Sequence, residues 1–135
     1  MIRYADFQDF TVLKEYDRHI SESELQNSIR AERILVMYQN DNLIGWLRFG
    51  LFWDNIPFMN MLYILDGYRK KGNGTELVSF WEKEMATKNY KRVLTSTQSD
   101  EKAQFFYRKI GYTECGALLL AKEPLEILFI KDFIR

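Results

Sequence analysis

The apolar positions of this chain change period several times, and each change marks an element. After a short start, Met1 to Ala5, that suits a strand, Phe7, Phe10, Leu13 and Tyr16 recur every third residue, as one face of a helix does. Ser21 and Glu24 then have the spacing of a capping box. They predict a second helix with Leu25 and Ile29 on its buried side. From Ile34 the pattern turns dense. Ile34 to Tyr38, the turn-forming Asn40-Asp41-Asn42 and the β-branched and aromatic run Leu43 to Trp53 read as an antiparallel hairpin, with Gly45 and Gly50 as candidate bulges. Phe58 to Leu65 is another strand and ends in a glycine-containing segment, Asp66 to Gly74. From Thr75 to about Asn89, Leu77, Val78, Trp81 and Met85 line one helical face while Glu76, Glu82, Lys83 and Glu84 can face water. Val93 to Thr97 is a short strand. Asp100 stands where an N-cap would start a helix carrying Ala103, Phe106, Tyr107 and Ile110, which Gly111 closes. Tyr112 to Leu120 and Ile127 to Phe133 complete the order β-α-α-β-β-β-α-β-α-β-β. No repeat, low-complexity block or linker interrupts it, so residues 1–135 are expected to form one mixed α/β (α+β) domain.

Composition narrows the function. Nineteen Lys and Arg against nineteen Asp and Glu leave no net charge, which disfavours a nucleic-acid partner held by bulk electrostatics. Apolar stretches such as Ala117 to Ala121 are far shorter than the roughly 20 residues of a membrane-spanning helix. Acidic and polar residues follow Met1 to Asp6 in place of an apolar signal core, so a soluble, cytoplasmic protein without a membrane partner is expected. One cysteine, Cys115, and one histidine, His19, cannot supply the usual zinc-ligand spacings, and no metal is expected. Cys115 reads as a small buried hydrophobe and His19 as a surface residue between helices.

The chemistry concentrates at Arg69-Lys70-Lys71-Gly72-Asn73-Gly74-Thr75, between a strand and a helix. Gly72 and Gly74 lack the Cβ that would hold a ligand away from the backbone. The unpaired amides and positive dipole end of the next helix point at the same place, and the three cations reinforce it. Several donors along a loop suit a pyrophosphate, although the spacing matches neither a Walker A loop nor a dinucleotide-binding G-x-G-x-x-G. An ordinary glycine-containing turn with solvated charges is the plainer reading of two glycines alone.

Arg69-Lys70-Lys71-Gly72-Asn73-Gly74 resembles the [Q/R]-x-x-G-x-[G/A] acetyl-CoA motif of the GCN5-related N-acetyltransferase (GNAT) superfamily. The preceding Leu62 to Tyr68 is similar to the family's strand and turn, with Asp66 at the usual proline. Ala103 to Tyr112 resembles its A-x-x-hydrophobic-hydrophobic-Y-x-K-x-G-[F/Y] helix. The resemblance covers most of the chain from about Ile34. It implies a mostly antiparallel central sheet flanked by helices, and an acetyl-CoA-dependent N-acetyltransferase in which an amine acceptor attacks the thioester directly.

By the same resemblance, amides from Lys70 to Thr75 hold the pyrophosphate of coenzyme A. Main-chain groups around Leu62 and Ile64 pair with the pantetheine arm, and a strand amide polarises the thioester carbonyl. Tyr107 protonates, or hydrogen-bonds to, the departing thiolate; packed beside Phe106 and Ile110, it would otherwise read as a core aromatic. Asp100 replaces an asparagine that often contacts the cofactor, so a cap is its simpler role. The base stays open among Asp54, Glu32, Glu24, His19 and a water chain. Trp53 and Asp54 are candidate acceptor contacts in an aromatic set with Trp46, Phe49, Phe52 and Phe58, favouring a cationic amine, although the alternating spacing also suits sheet packing. The alternative is a non-catalytic acyl-CoA-binding sensor or interaction protein of the same fold. A monomer or a homodimer is compatible with the chain.

Overall fold

The structure is a computed structural model that describes residues 1–133; the last two residues of the expected 1–135 domain lie outside the described residues. Its elements follow the expected order: β1 (Ile2–Tyr4), α1 (Phe10–Tyr16), α2 (Glu22–Arg30), β2 (Ile34–Gln39), β3 (Asn42–Phe52), β4 (Ile56–Ile64), α3 (Asn73–Thr87), β5 (Arg92–Gln98), α4 (Ala103–Lys109), β6 (Thr113–Leu118) and β7 (Glu126–Asp132). The seven strands form one sheet in the order β1-β2-β3-β4-β5-β7-β6. β4 and β5 are parallel, while β1–β2, β2–β3, β5–β7 and β6–β7 are antiparallel. The chain divides into two compact units, Met1–Phe49 with Met61–Trp81, and Gly50–Asn60 with the chain from Glu82 onward.

In the first unit, Leu13, Leu25, Ile29, Ile34, Val36, Leu43 and Trp46 form a buried cluster with Ala5. Phe49 packs against Trp81, ring centroids 5.7 Å apart. The every-third-residue pattern of the first helix is only partly realised. Phe7 falls in a short 3-10 turn, Phe7–Asp9, and is exposed, as is Tyr16, while Leu13 is fully buried. The Ser21 cap forms as the sequence implies, its Oγ accepting from Glu24 N.

Two buried carboxylates hold α1 at its ends. Asp9 accepts both Arg3 Nη1 (2.8 Å) and Nη2 (3.0 Å), Tyr38 Oη (2.7 Å) and Asp6 N (2.9 Å). Asp17 receives Arg48 Nε (2.9 Å) and Nη2 (3.4 Å), Trp46 Nε1 (3.2 Å) and His19 N (3.2 Å). Both ions of the Asp17–Arg48 pair are almost wholly out of water. Removing one partner therefore leaves the other uncompensated.

In the second unit, Glu82 on α3 accepts Tyr112 Oη (2.8 Å) and Lys131 Nζ (3.0 Å), and Lys131 Nζ also donates to Ile110 O (2.9 Å). α4 ends as Gly111 predicts. This glycine takes φ +103°, its N–H donates to Arg108 O, and Tyr112 N donates to Tyr107 O, the paired bonds of a Schellman motif. The start of α4 departs from expectation. Lys102 takes the cap position without a side-chain cap bond. Glu101, rather than Asp100, turns its carboxylate to Gln98 N and Thr97 Oγ1. Cys115 is exposed, at a bulge in β6 between Glu114 and Gly116, not buried as expected.

The paired carboxylates can be tested separately. Asp17→Asn should lower unfolding stability by about 3–5 kcal/mol in urea titrations, with Asp17→Leu/Arg48→Met restoring much of the loss. For Asp9, burial alone would raise the carboxyl, but the Arg3 guanidinium, Tyr38 and the Asp6 amide together hold it below its ordinary 3.8. Its contribution is thus complete above that value and disappears as pH falls through the folded-state value. The stability gap between wild type and Asp9→Asn should narrow as the pH is lowered from 6 towards 2.

Candidate active site

In the first unit the site begins where β4 meets β3. A Cβ on Gly45 would lie 2.6 Å from Ile64 Cδ1 and 2.8 Å from Tyr63 O, so glycine permits the end of β4 to come this close. The register of β2 with β3 also shifts here, between Met37 and Tyr38, so Gly45 does flank a bulge. Tyr63 is fixed between two flat partners. Trp46 stacks on it, centroids 5.0 Å apart and 24° between planes, and the Arg69 guanidinium carbon lies 4.9 Å from its centroid. Arg69 Nε donates to Ile64 O (2.7 Å), and Nη1 stands 3.6 Å from Asp66. Arg69 thus turns back to shape the loop, while Lys70 and Lys71 are exposed.

The loop itself has two left-handed residues, Lys70 (φ +61°) and Gly72 (φ +85°). A Cβ at Gly72 would meet no protein atom within 4 Å, so the backbone conformation requires glycine and the space beside it is open. α3 starts at Asn73, earlier than Thr75. Glu76 N donates to Gly72 O, which makes Gly72 the cap and leaves the amides of Asn73, Gly74 and Thr75 without partners in the helix. Asn73 Nδ2 ties back to Tyr68 O (2.9 Å). Amides converging on open space at the positive end of a fifteen-residue helix, beside two exposed lysines, are suited to a phosphate group.

In the second unit, Tyr107 on α4 is only 6% exposed and packs against Phe106, Tyr112 and Phe129. Burial pushes its phenol up to about 12; a hydrogen bond with Thr95 pulls the other way, and Glu101 adds a smaller upward push. The group is therefore fully protonated at neutral pH. Thr95 in turn donates to Met59 O (3.0 Å), beside the parallel pairs Phe58↔Leu94 and Met59↔Thr95. Tyr107 consequently sits at the β4–β5 ladder through a threonine that no motif singles out. The alternation of Thr95 and Thr97 with Leu94 and Ser96 is the one sequence signal that could have exposed it.

The aromatic set divides. Trp46 and Phe49 are buried in the first unit as sheet packing. Phe52, Trp53 and Phe58 come together in the second, with centroids 4.7 Å (Phe52–Trp53) and 6.3 Å (Phe52–Phe58) apart. Trp53 (φ +54°, 76% exposed) and Asp54 (φ +63°) form the β3–β4 turn. Of the candidate bases, Glu24, Glu32, Asp54 and His19 are all exposed, with Glu24 in the first turn of α2. Among the described residues no cluster of three or more His, Cys, Asp or Glu side chains could hold a metal, and no helix is long and apolar enough to cross a membrane.

Residues 3–112 match the acetyltransferase (GNAT) family, and the chain belongs to that family. Solved structures share the fold. PaiA N-acetyltransferase from Thermoplasma acidophilum in complex with coenzyme A superposes with a TM-score of 0.82 at 19% identity, covering 98% of each chain. A GNAT-family acetyltransferase from Bacillus cereus gives 0.79 at 21% identity over 100% of this chain and 98% of its own. An aminoglycoside 6′-N-acetyltransferase complexed with coenzyme A gives 0.76 at 21% identity with the same coverage. No protein with a curated description matches the sequence.

The close approach at Gly45 generates a test. Gly45→Ala forces a methyl group against the Tyr63 carbonyl, and should lower stability by about 1–3 kcal/mol in urea unfolding. Gly50→Ala, where the same methyl would meet only Asn60 Nδ2 at 3.3 Å, should change it by less.

Proposed function

We propose that the chain is an acetyl-CoA-dependent N-acetyltransferase that moves an acetyl group to a primary amine of a small molecule or peptide by direct attack. The observation that carries this reading is the combination, in one GNAT-family chain, of an open anion site at the start of α3 and a buried, protonated phenol on α4. Two of the structures sharing the fold hold coenzyme A, which supports the same ligand here.

The residues present fit that ligand. The amides of Lys70, Lys71, Gly72, Asn73, Gly74 and Thr75 would hold its pyrophosphate in the open space beside Gly72, with the Lys70 and Lys71 side chains adding charge. Arg69 would act chiefly through the loop it shapes. Because Ile64 O already receives Arg69, the pantetheine arm would pair with other main-chain groups around Leu62 and Ile64. Acetyl-CoA supplies an electrophilic acyl carbon and a thiolate leaving group. Tyr107 keeps its proton at Oη to about pH 12 and would offer it where the thiolate forms. The amine nitrogen gives up one proton as its bond to the acyl carbon forms and the carbon–sulfur bond breaks. The thiol gains one, so amine and thioester become amide and free thiol.

Thiol release across a panel of amines tests the reading. Tyr107→Phe should lower kcat about 100-fold or more, with the KM for acetyl-CoA little changed. Wild-type kcat should show no alkaline loss from Tyr107 up to about pH 10, because its phenol titrates near 12. Gly72→Val should abolish coenzyme A binding by calorimetry, since the valine both strains φ +85° and fills the open space. Coenzyme A binding without turnover on any amine would leave an acyl-CoA-binding protein; unchanged affinity in Gly72→Val would remove the phosphate assignment.

A further inference from the structure

In the second unit the ladder registers determine which side chains share a face. Phe58 pairs with Leu94 across β4–β5, Ser96 with Leu128 across β5–β7, and Glu126 with Leu118 across β7–β6. Directly opposed residues, and residues two apart on a strand, point to the same side. Phe58, Ser96, Leu128, Glu126 and Leu118 therefore belong to one face. Thr95 points to the other, where Tyr107 packs.

That common face carries a groove of about 400 Å³, lined by Phe52, Phe58, Asn60, Leu118 and Leu128 together with Gly50 and Leu51. No charged side chain lines it. Gly116 lies opposite Leu128 in the β6–β7 ladder and covers it with no side chain. The Glu126 carboxylate stands beside the groove, across the ladder from Leu118, and Ser96 Oγ donates to its Oε2 at 2.6 Å. This half-buried Ser96–Glu126 pair has no part in the site described so far.

We propose that this groove receives the acceptor, and that the acceptor is a primary amine on an apolar carbon skeleton. Its ammonium docks on Glu126 before deprotonation, and its uncharged body lies along Phe58, Leu118 and Leu128. The inference rests on the acetyl-transfer reading and names the acceptor class for it. Two observations favour this occupant. The volume is that of a small-molecule site. Glu126, directly across the ladder from the lining residue Leu118, can pair one ammonium, whereas a second cation held against Phe58, Leu118 and Leu128 is desolvated without a partner. An acceptor carrying several ammonium groups does not suit this wall.

The test uses the full chain with acetyl-CoA and n-alkylamines from ethylamine to hexylamine, with 1,6-diaminohexane as the equally long, doubly charged control. kcat/KM should rise by up to about fourfold per methylene, and hexylamine should exceed the diamine by at least about tenfold. Leu118→Ser, at a position half exposed to solvent and so tolerant in folding, should flatten the chain-length dependence without moving the KM for acetyl-CoA. Glu126→Gln should raise the KM of every amine by about tenfold or more, again at constant acetyl-CoA KM. Turnover with equal or better use of the diamine, or an undiminished chain-length dependence in Leu118→Ser, overturns the groove assignment and leaves acetyl transfer intact. If no amine turns over, hexylamine and ethylamine binding is read by NMR titration. Chain-length-dependent binding lost in Leu118→Ser upholds the groove while the transfer reading falls, and no binding overturns it. A wild-type dimer that Leu118→Ser converts to monomer, with amine selectivity unchanged, makes the groove a contact between copies and also overturns the proposal.

Discussion

The first unit is organised by how closely one strand can approach another. The end of β4 can lie against β3 only because position 45 has no side chain, with Ile64 and the Tyr63 carbonyl occupying the space a methyl group would take. Once β4 is there, Tyr63 meets Trp46, Arg69 closes over Tyr63 and bonds Ile64 O, and the chain leaves the strand in the direction that delivers Gly72 to the head of α3. A missing methyl group on one strand is thus connected through three side-chain contacts to the amides that face open space. The loop is positioned by stacking and by its own arginine, and the conformational freedom of Gly72 completes it.

Buried charge is used differently in the two units. In the first, Asp9 and Asp17 fix the short α1 to β1, β2 and β3, and both carboxylates are saturated with donors. In the second, Glu82 gathers Tyr112 and Lys131, binding α3 to the segment that follows α4 and to β7. These acids are structural anchors, which is why none of them competes for a catalytic role. Tyr107 differs because its direct contacts are rings and a hydroxyl, so that desolvation is the largest influence, with Glu101 adding to it, and the phenol stays protonated.

Much of this was legible in the chain. The order of elements, the Ser21–Glu24 cap and the Gly111 terminus follow from local chemistry and appear as expected. Gly72 was also readable, since a glycine before a helix start is a local signal. Other features depart from the sequence pattern, some locally and some through distant partners. Asp100 has no capping role because α4 starts only at Ala103, with Lys102 at the cap position, and Cys115 is exposed because it lies on an edge strand whose residues are all exposed. Thr95 and the Ser96–Glu126 pair could not be seen in one sequence, because their roles depend on β5 lying between β4 and β7, a neighbourhood that connects residues about thirty positions apart. The five aromatics suggested a single cluster, but their alternation along β3 sends Trp46 and Phe49 to opposite faces.

The bulge in β6 has one more effect. β6 is the last strand of the sheet and every residue of it is exposed, so its outward amides and carbonyls form an open template on which another chain could add a strand. A regular edge of this kind promotes fibre-like stacking. The extra residue at Cys115 breaks the repeat that such stacking requires. The irregularity thus makes this border of the sheet a less regular template for a second strand.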